Sequence, residues 1–233
     1  YKVDQSFVNQ MINASALDNG LHAGDLKFVD LDGNNKIEQT TSANDRKDMK
    51  VIGNSLPRYN YNFGISADWY GIDFSVLFQG IGKQNWYPGA ETSMFWGPYS
   101  RPYASFIPSD FMSQVWSEEN TDAYFPRPRG YVALGSNREL AVVNTKYLQN
   151  LAYCRLKNLS IGYTLPDKWL SKIGFEKIRV YFSGENLLTF TKLHSDYIDP
   201  EQASASNSWK TSKSDANIYP WAKTYSFGVD ITF

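Results

Sequence analysis

Asp30, Asp32 and Asn34 stand at alternate positions of Asp30-Leu31-Asp32-Gly33-Asn34-Asn35-Lys36-Ile37-Glu38, a spacing that suits a hard divalent cation. Calcium takes several oxygen ligands at flexible angles, and an acidic loop offers them from its first, third and fifth side chains and its seventh carbonyl. Here these are Asp30, Asp32, Asn34 and the Lys36 carbonyl, with Ile37 as the apolar anchor. The sixth position, usually Gly, is Asn35, which tolerates a left-handed backbone better than most residues. The twelfth is Thr41 rather than a bidentate acid, so Asp45 or Asp48 has to swing back to complete the site. A solvated turn of Asp, Gly and Asn without metal is the alternative.

Other chemistry finds no footing. There is no Walker loop, dinucleotide fingerprint, HExxH or CxxC. His22 and His194 lie far apart, and Glu118-Glu119 is an adjacent acidic pair in a loop, the ordinary place for solvated charge. The lone Cys154 permits no internal disulfide and reads as a small apolar strand residue. Acidic and basic residues nearly cancel, with a net charge of -1, which argues against nucleic acid as a partner. The chain is not expected to be an enzyme.

A second group of candidates is aromatic. Residues 82–144 carry Trp86, Tyr87, Trp96, Tyr99 and Trp116, with Arg101, Arg127, Arg129 and Arg138 as polar handles. Exposed Trp, Tyr and Arg dominate interface anchors, so Trp86, Tyr87, Trp96, Tyr99, Arg101 and Trp116 are candidates for ligand or partner contact. The alternative is that these rings pack the loop against itself. Residues 109–116 have a cap and helical spacing, which predicts a short helix. Residues 196–217, rich in Ser, Asp and Lys, read as a mobile outer loop.

The elements that must carry these loops are strands. Over residues 59–69 the odd positions are Tyr59, Tyr61, Phe63, Ile65, Ala67 and Trp69, and the even ones are polar or Gly. Successive strand side chains face opposite ways, so one face is apolar. A tight turn at Tyr70-Gly71 leads to Ile72, Phe74, Val76 and Phe78 in the same alternation, which predicts a hairpin. A third run spans about residues 145–165. Its phase slips near Lys157-Asn158, which predicts a bulge. A fourth covers 177–190. The fifth places Tyr225, Phe227, Val229, Ile231 and Phe233 opposite Thr224, Ser226, Gly228, Asp230 and Thr232.

Links between runs alternate short and long, the long ones being about residues 82–144 and 191–222. Outer-membrane barrels show this pattern, with short periplasmic turns and long extracellular loops. No run of about 20 apolar residues exists for a membrane helix, but barrel strands need only alternate apolarity. Aromatics at 16% of the 233 residues suit strands and membrane interfaces. The expected fold is therefore all-β: the C-terminal part of a transmembrane antiparallel β-barrel. About five strands lie in residues 58–233, after an extracellular loop segment at 1–57. Five strands cannot close a barrel, so more are expected before Tyr1, where no signal peptide is visible. The rival is a soluble secreted carbohydrate-binding β-sandwich, whose apolar faces would stack on each other.

Several stretches together resemble one family. They are Gly24-Asp25-Leu26-Lys27-Phe28-Val29-Asp30-Leu31-Asp32-Gly33, Val51-Ile52-Gly53-Asn54-Ser55-Leu56-Pro57-Arg58-Tyr59, and Phe78-Gln79-Gly80-Ile81-Gly82. Further on come Leu156-Lys157-Asn158-Leu159-Ser160-Ile161-Gly162-Tyr163-Thr164-Leu165-Pro166, Ser183-Gly184-Glu185-Asn186-Leu187, Asp199-Pro200-Glu201 and the terminal Phe227-Gly228-Val229-Asp230-Ile231-Thr232-Phe233. In this order they resemble the SusC/RagA family of TonB-linked outer-membrane proteins. The resemblance implies a barrel of about 22 strands with an N-terminal plug absent from this chain. It implies import of glycans or peptides across the outer membrane of Bacteroidetes-type bacteria, with a SusD-like lipoprotein as lid and TonB acting through the plug. It also implies that Tyr225, Phe227, Val229, Ile231 and Phe233 form the signal read by the barrel-assembly machinery. Asn35 and Thr41 depart from the family pattern.

Overall fold

The computed structural model describes residues 23–40, 42–100, 107, 109–128, 134, 139–171, 174–206, 213–214 and 219–233. Its strands are β1 (Arg58–Trp69), β2 (Ile72–Lys83), β3 (Asn85–Pro88), β4 (Gln149–Asn150), β5 (Tyr153–Thr164), β6 (Lys177–Thr191), β7 (Lys213–Ser214) and β8 (Thr224–Thr232). The chain divides into two compact units. One comprises residues 1–53, 87–148 and 213–217, the other residues 54–86, 149–212 and 218–233.

The second unit is built on a five-stranded antiparallel sheet in the order β1-β2-β5-β6-β8. Directly opposed residues share a face, so the register draws rows across the whole sheet. Ala67, Phe74, Ile161, Phe182 and Phe227 form one apolar row, and Trp69, Ile72, Tyr163, Val180 and Val229 another. Neighbouring rings touch on this face: Phe182 meets Phe227 at 5.2 Å in the first row, and Phe63 stacks on Phe78 at 5.0 Å in a further row. On the opposite face, next to the Ala67 row and away from the Trp69 row, runs a row with one serine per strand: Ser66, Ser75, Ser160, Ser183 and Ser226.

The expected turn is present. Tyr70 and Gly71 have φ of 46° and 85°, the pair of positive values that a two-residue turn needs to match strand twist. The expected bulge is also present. Leu77 pairs with Asn158 and Phe78 with Leu156, which leaves Lys157 extra. On β6 the same irregularity leaves Asn186 and Leu187 between Glu185 and Leu188, and Asn186 has φ 53°. The slip returns Leu159, Ile161 and Tyr163 to the face that Cys154 and Leu156 occupy, so β5 keeps one apolar side.

That side faces outward. Phe227, Ile65 and Phe63 are 84%, 60% and 50% exposed. A sandwich would cover them with a second sheet, so the soluble alternative fails on this geometry. No helix among the described residues is long and apolar enough to cross a membrane.

Two local expectations change. The helix expected at residues 109–116 is a single 3-10 turn, Phe111–Gln114. It stops because Val115 bridges Phe125 and the Trp116 N–H donates to the Phe125 carbonyl at 3.1 Å, which pulls the chain into extended form. Within the segment read as a mobile loop, Pro200–Ser206 is helical. Asp199 caps it, accepting the Glu201 N–H at 2.9 Å, as a short polar side chain does at a helix start.

Candidate functional site

The acidic loop closes on itself through its side-chain oxygens. Asp30 accepts the N–H groups of Gly33 and Asn35 at 2.7 and 2.8 Å, and Asn34 accepts that of Lys36 at 2.7 Å. Asn35 has φ 60°, the left-handed geometry expected at the sixth position. Partial desolvation opposes ionisation of Asp30, but its hydrogen bonds, those from the Asn35 and Gly33 amides first and then Asp32 and Asn34, hold its carboxyl below its ordinary value. Of the two carboxylates that could swing back, Asp48 does so: it accepts the Leu31 and Glu38 N–H groups at 2.7 Å each. Asp30, Asp32 and Asp48 then present oxygens within 4.8 Å of one another. Asp45 faces Lys47 instead, at 3.5 Å. Three convergent carboxylates with amide oxygens nearby suit a hard cation.

The aromatic candidates separate by burial. Trp86, Tyr87, Trp96 and Tyr99 have at most 1% of their surface exposed. Tyr87, Trp96 and Tyr99 belong to the core of the first unit, where Trp96 lies edge-on to Phe95 at 4.8 Å and Tyr99 stacks on Phe125 at 5.9 Å. Their polar tips are used inside that core: Tyr87 donates to the Leu140 carbonyl at 2.7 Å and Trp96 to the Gly89 carbonyl at 3.0 Å. Burial pushes the phenols of Tyr87 and Tyr99 well above the ordinary range. These rings shape the loop and leave little face for a ligand. Trp116 is half-buried and lies over Gly24, where φ is +87° and an added Cβ would meet the indole. Arg127 is tied to Asp25 at 2.6 Å. Arg101, Arg129 and Arg138 lie outside the described residues.

The polar face of the sheet carries a charged group that sequence reading did not find. Arg179 on β6 forks onto Asp73 of β2, with Nε–Oδ1 at 2.8 Å and Nη2–Oδ2 at 2.6 Å, and reaches Asp230 of β8 at 3.1 Å. Its guanidinium lies 4.7 Å from the Tyr181 ring. The fork crosses β5 above Gly162, where any Cβ would run into Arg179 and Asp73. On the apolar face, Tyr225, Phe227, Val229 and Ile231 of β8 are exposed together, and the Phe233 ring meets Phe175 at 5.2 Å.

A twisted wall with apolar side chains outside, and serines and paired charges inside, is a segment of an outer-membrane β-barrel. No family model matches the chain. It is 31% identical over 212 residues to TonB-dependent receptor P3 of Formosa agariphila, covering 88% of this chain and 19% of that protein. It is 26% identical over 227 residues to TonB-dependent receptor P26 of the same organism, covering 95% and 21%. Its fold is similar to solved structures of the RagAB peptide importer. For the closed-closed state the TM-score is 0.54 at 23% identity, covering 84% of this chain and 19% of that one; for the open-open state it is 0.51 at 21% identity. The chain thus spans about a fifth of the length of the relatives it matches. It belongs to the TonB-dependent receptors, proteins of the bacterial outer membrane.

Proposed function

We propose that this chain is the C-terminal barrel wall of a SusC/RagA-type nutrient importer. It takes up oligopeptides or glycans, works with a SusD-like surface lipoprotein, and is energised by TonB through a plug outside this chain. The observation that carries this is the two-faced sheet, apolar outside and polar inside, in a chain similar to TonB-dependent receptors along 88% of its length. The RagAB likeness favours peptide among the substrates. The chain has no catalytic part in this reading: its polar face lines a path. The exposed alternate residues Tyr225, Phe227, Val229, Ile231 and Phe233 double as the signal for barrel assembly, because the face that meets lipid is also the face available to an assembly factor.

Purification of the intact receptor from outer membranes tests the proposal. A surface lipoprotein is expected to co-elute in detergent, and deletion of the receptor gene is expected to abolish growth on one class of oligopeptide or glycan. A receptor that stays monodisperse in water without detergent, or a deletion strain unchanged on every such nutrient, would overturn it.

The acidic loop serves in this reading as a calcium-stabilised brace held by Asp30, Asp32, Asn34, Lys36 and Asp48, with Asp45 outside the ligand set. Saturating calcium at 100 times its dissociation constant is expected to add about 2.7 kcal/mol to the loop's stability. Asp32→Asn should remove most of that gain. The depressed Asp30 carboxyl sets the sign with pH: its stabilisation is complete above the ordinary carboxylate range and fades as pH falls through the lower folded value. Calorimetry of the intact receptor with calcium and with chelator checks this, and identical unfolding in both would refute the brace.

A further inference from the structure

Two sequence motifs left without a role, Leu156-Lys157-Asn158 and Asp199-Pro200-Glu201, meet in space. Arg155 donates from Nη2 to Asp199 and from Nη1 to Glu201, each at 2.7 Å, and from Nε to the Thr189 hydroxyl at 2.9 Å. Lys157 donates to both Glu201 oxygens, at 3.0 and 2.9 Å. Only 3% of the Arg155 side chain and 4% of the Asp199 side chain are exposed. Two cations and two anions are thus paired largely away from water, and the group is neutral. The β5 bulge belongs to this arrangement, because it lets Arg155, Lys157 and Asn158 all lie on the polar side.

Asp199 ties the group to the helix. One of its oxygens accepts the Glu201 N–H at 2.9 Å and its carbonyl accepts the Ala203 N–H at 2.9 Å. Its other oxygen accepts the Trp221 N–H at 3.2 Å, and Lys157 sits 5.4 Å from the Trp221 ring. A second anchor is independent of charge. Gln84, 1% exposed, accepts the Ser204 hydroxyl at 2.7 Å and donates to the Ser55 carbonyl at 2.9 Å. Both ends of the segment are therefore fixed to the sheet's polar side.

We propose that residues 198–206 form a permanently fastened strap on the inner wall of the barrel, latched by Arg155, Lys157, Asp199 and Glu201 and pinned by Gln84. Residues 198–206 thereby narrow the mouth as fixed wall and do not swing as a gate. Opening it would part Arg155 and Lys157 from both carboxylates at once, and an unpaired buried charge is far costlier than a paired one. The inference rests on the barrel reading alone and is independent of what is transported.

The test uses the intact receptor in detergent with Cys154→Ser and a nitroxide label at Tyr197→Cys. The label is expected to give one restrained spectral component. Arg155→Met or Asp199→Asn should raise the mobile fraction at least fivefold while heat-modifiable migration shows the barrel intact. If either variant fails to assemble, Glu201→Gln, which removes one charge from a less buried partner, should give the same direction. A Gln84→Cys/Ser204→Cys pair should crosslink fully and leave the spectrum unchanged. A mobile or two-component spectrum before any latch charge is removed, no change when one is removed, or a spectrum altered by the crosslink would each overturn the strap. None of these outcomes bears on co-elution of the lipoprotein, so the strap can fail while the importer reading stands.

Discussion

Phe227→Arg is expected to destabilise the assembled receptor by about 2–4 kcal/mol, and Ser226→Arg by less than about 1 kcal/mol. The two positions are adjacent on β8, share backbone environment and differ only in the face they present. Phe227 lies in the apolar row with Phe182, whose ring is 5.2 Å away. An arginine there meets hydrocarbon with no partner within reach. Ser226 opposes Ser183 on the polar side, where a long cation finds water and hydroxyls. Reversible unfolding of the intact receptor in lipid vesicles, monitored by tryptophan fluorescence, gives both values. Equal costs on the two faces would mean that the exposed aromatic face does not touch lipid, and the barrel assignment would fall with it.

Gly162→Val is expected to cost about 2 kcal/mol, against about 0.5 kcal/mol for Ser160→Val two residues earlier on the same face. The reason is geometric. A Cβ at Gly162 would lie 2.6 Å from Arg179 Nε, so the guanidinium must leave the Asp73 carboxylate. What is lost is a two-pronged charge-assisted contact. Its worth is discounted because the Arg179 and Asp73 side chains keep 22% and 29% exposure, which lets solvent screen the pair. The same unfolding measurement reads it, and Asp73→Asn combined with Gly162→Val should cost little more than Gly162→Val alone, since both remove one interaction. Full additivity would show that Gly162 matters for some reason other than the fork.

The two cases also mark how far sequence reading reached. Period-two alternation located β1, β2, β6 and β8 because each keeps one apolar face from end to end. The slip in β5 was visible because apolar residues change parity between Leu156 and Leu159. The Asp73–Arg179 fork and the Arg127–Asp25 pair were not visible, because partners 106 and 102 residues apart meet only once register and loop path are set. The strap helix was missed for a related reason. Residues 200–206 have weak helical character of their own, and their order comes from Asp199, Arg155 and Gln84, which lie far apart in the sequence. The acidic loop was legible up to its last carboxylate, where the chain path selects Asp48 and turns Asp45 toward Lys47. The buried rings of the first unit illustrate a different limit: composition announces aromatic residues but cannot say whether they point at a ligand or at one another.

The row of five serines has a consequence for anything that travels along this wall. Asp73 with its Arg179 fork stands one row to one side and Glu185 one row to the other, while the serine row itself offers only neutral hydroxyls that trade partners with water at about 0.5–1.5 kcal/mol per bond. In the importer proposed above, a passing molecule would meet shallow, interchangeable footholds along that row and no deep well.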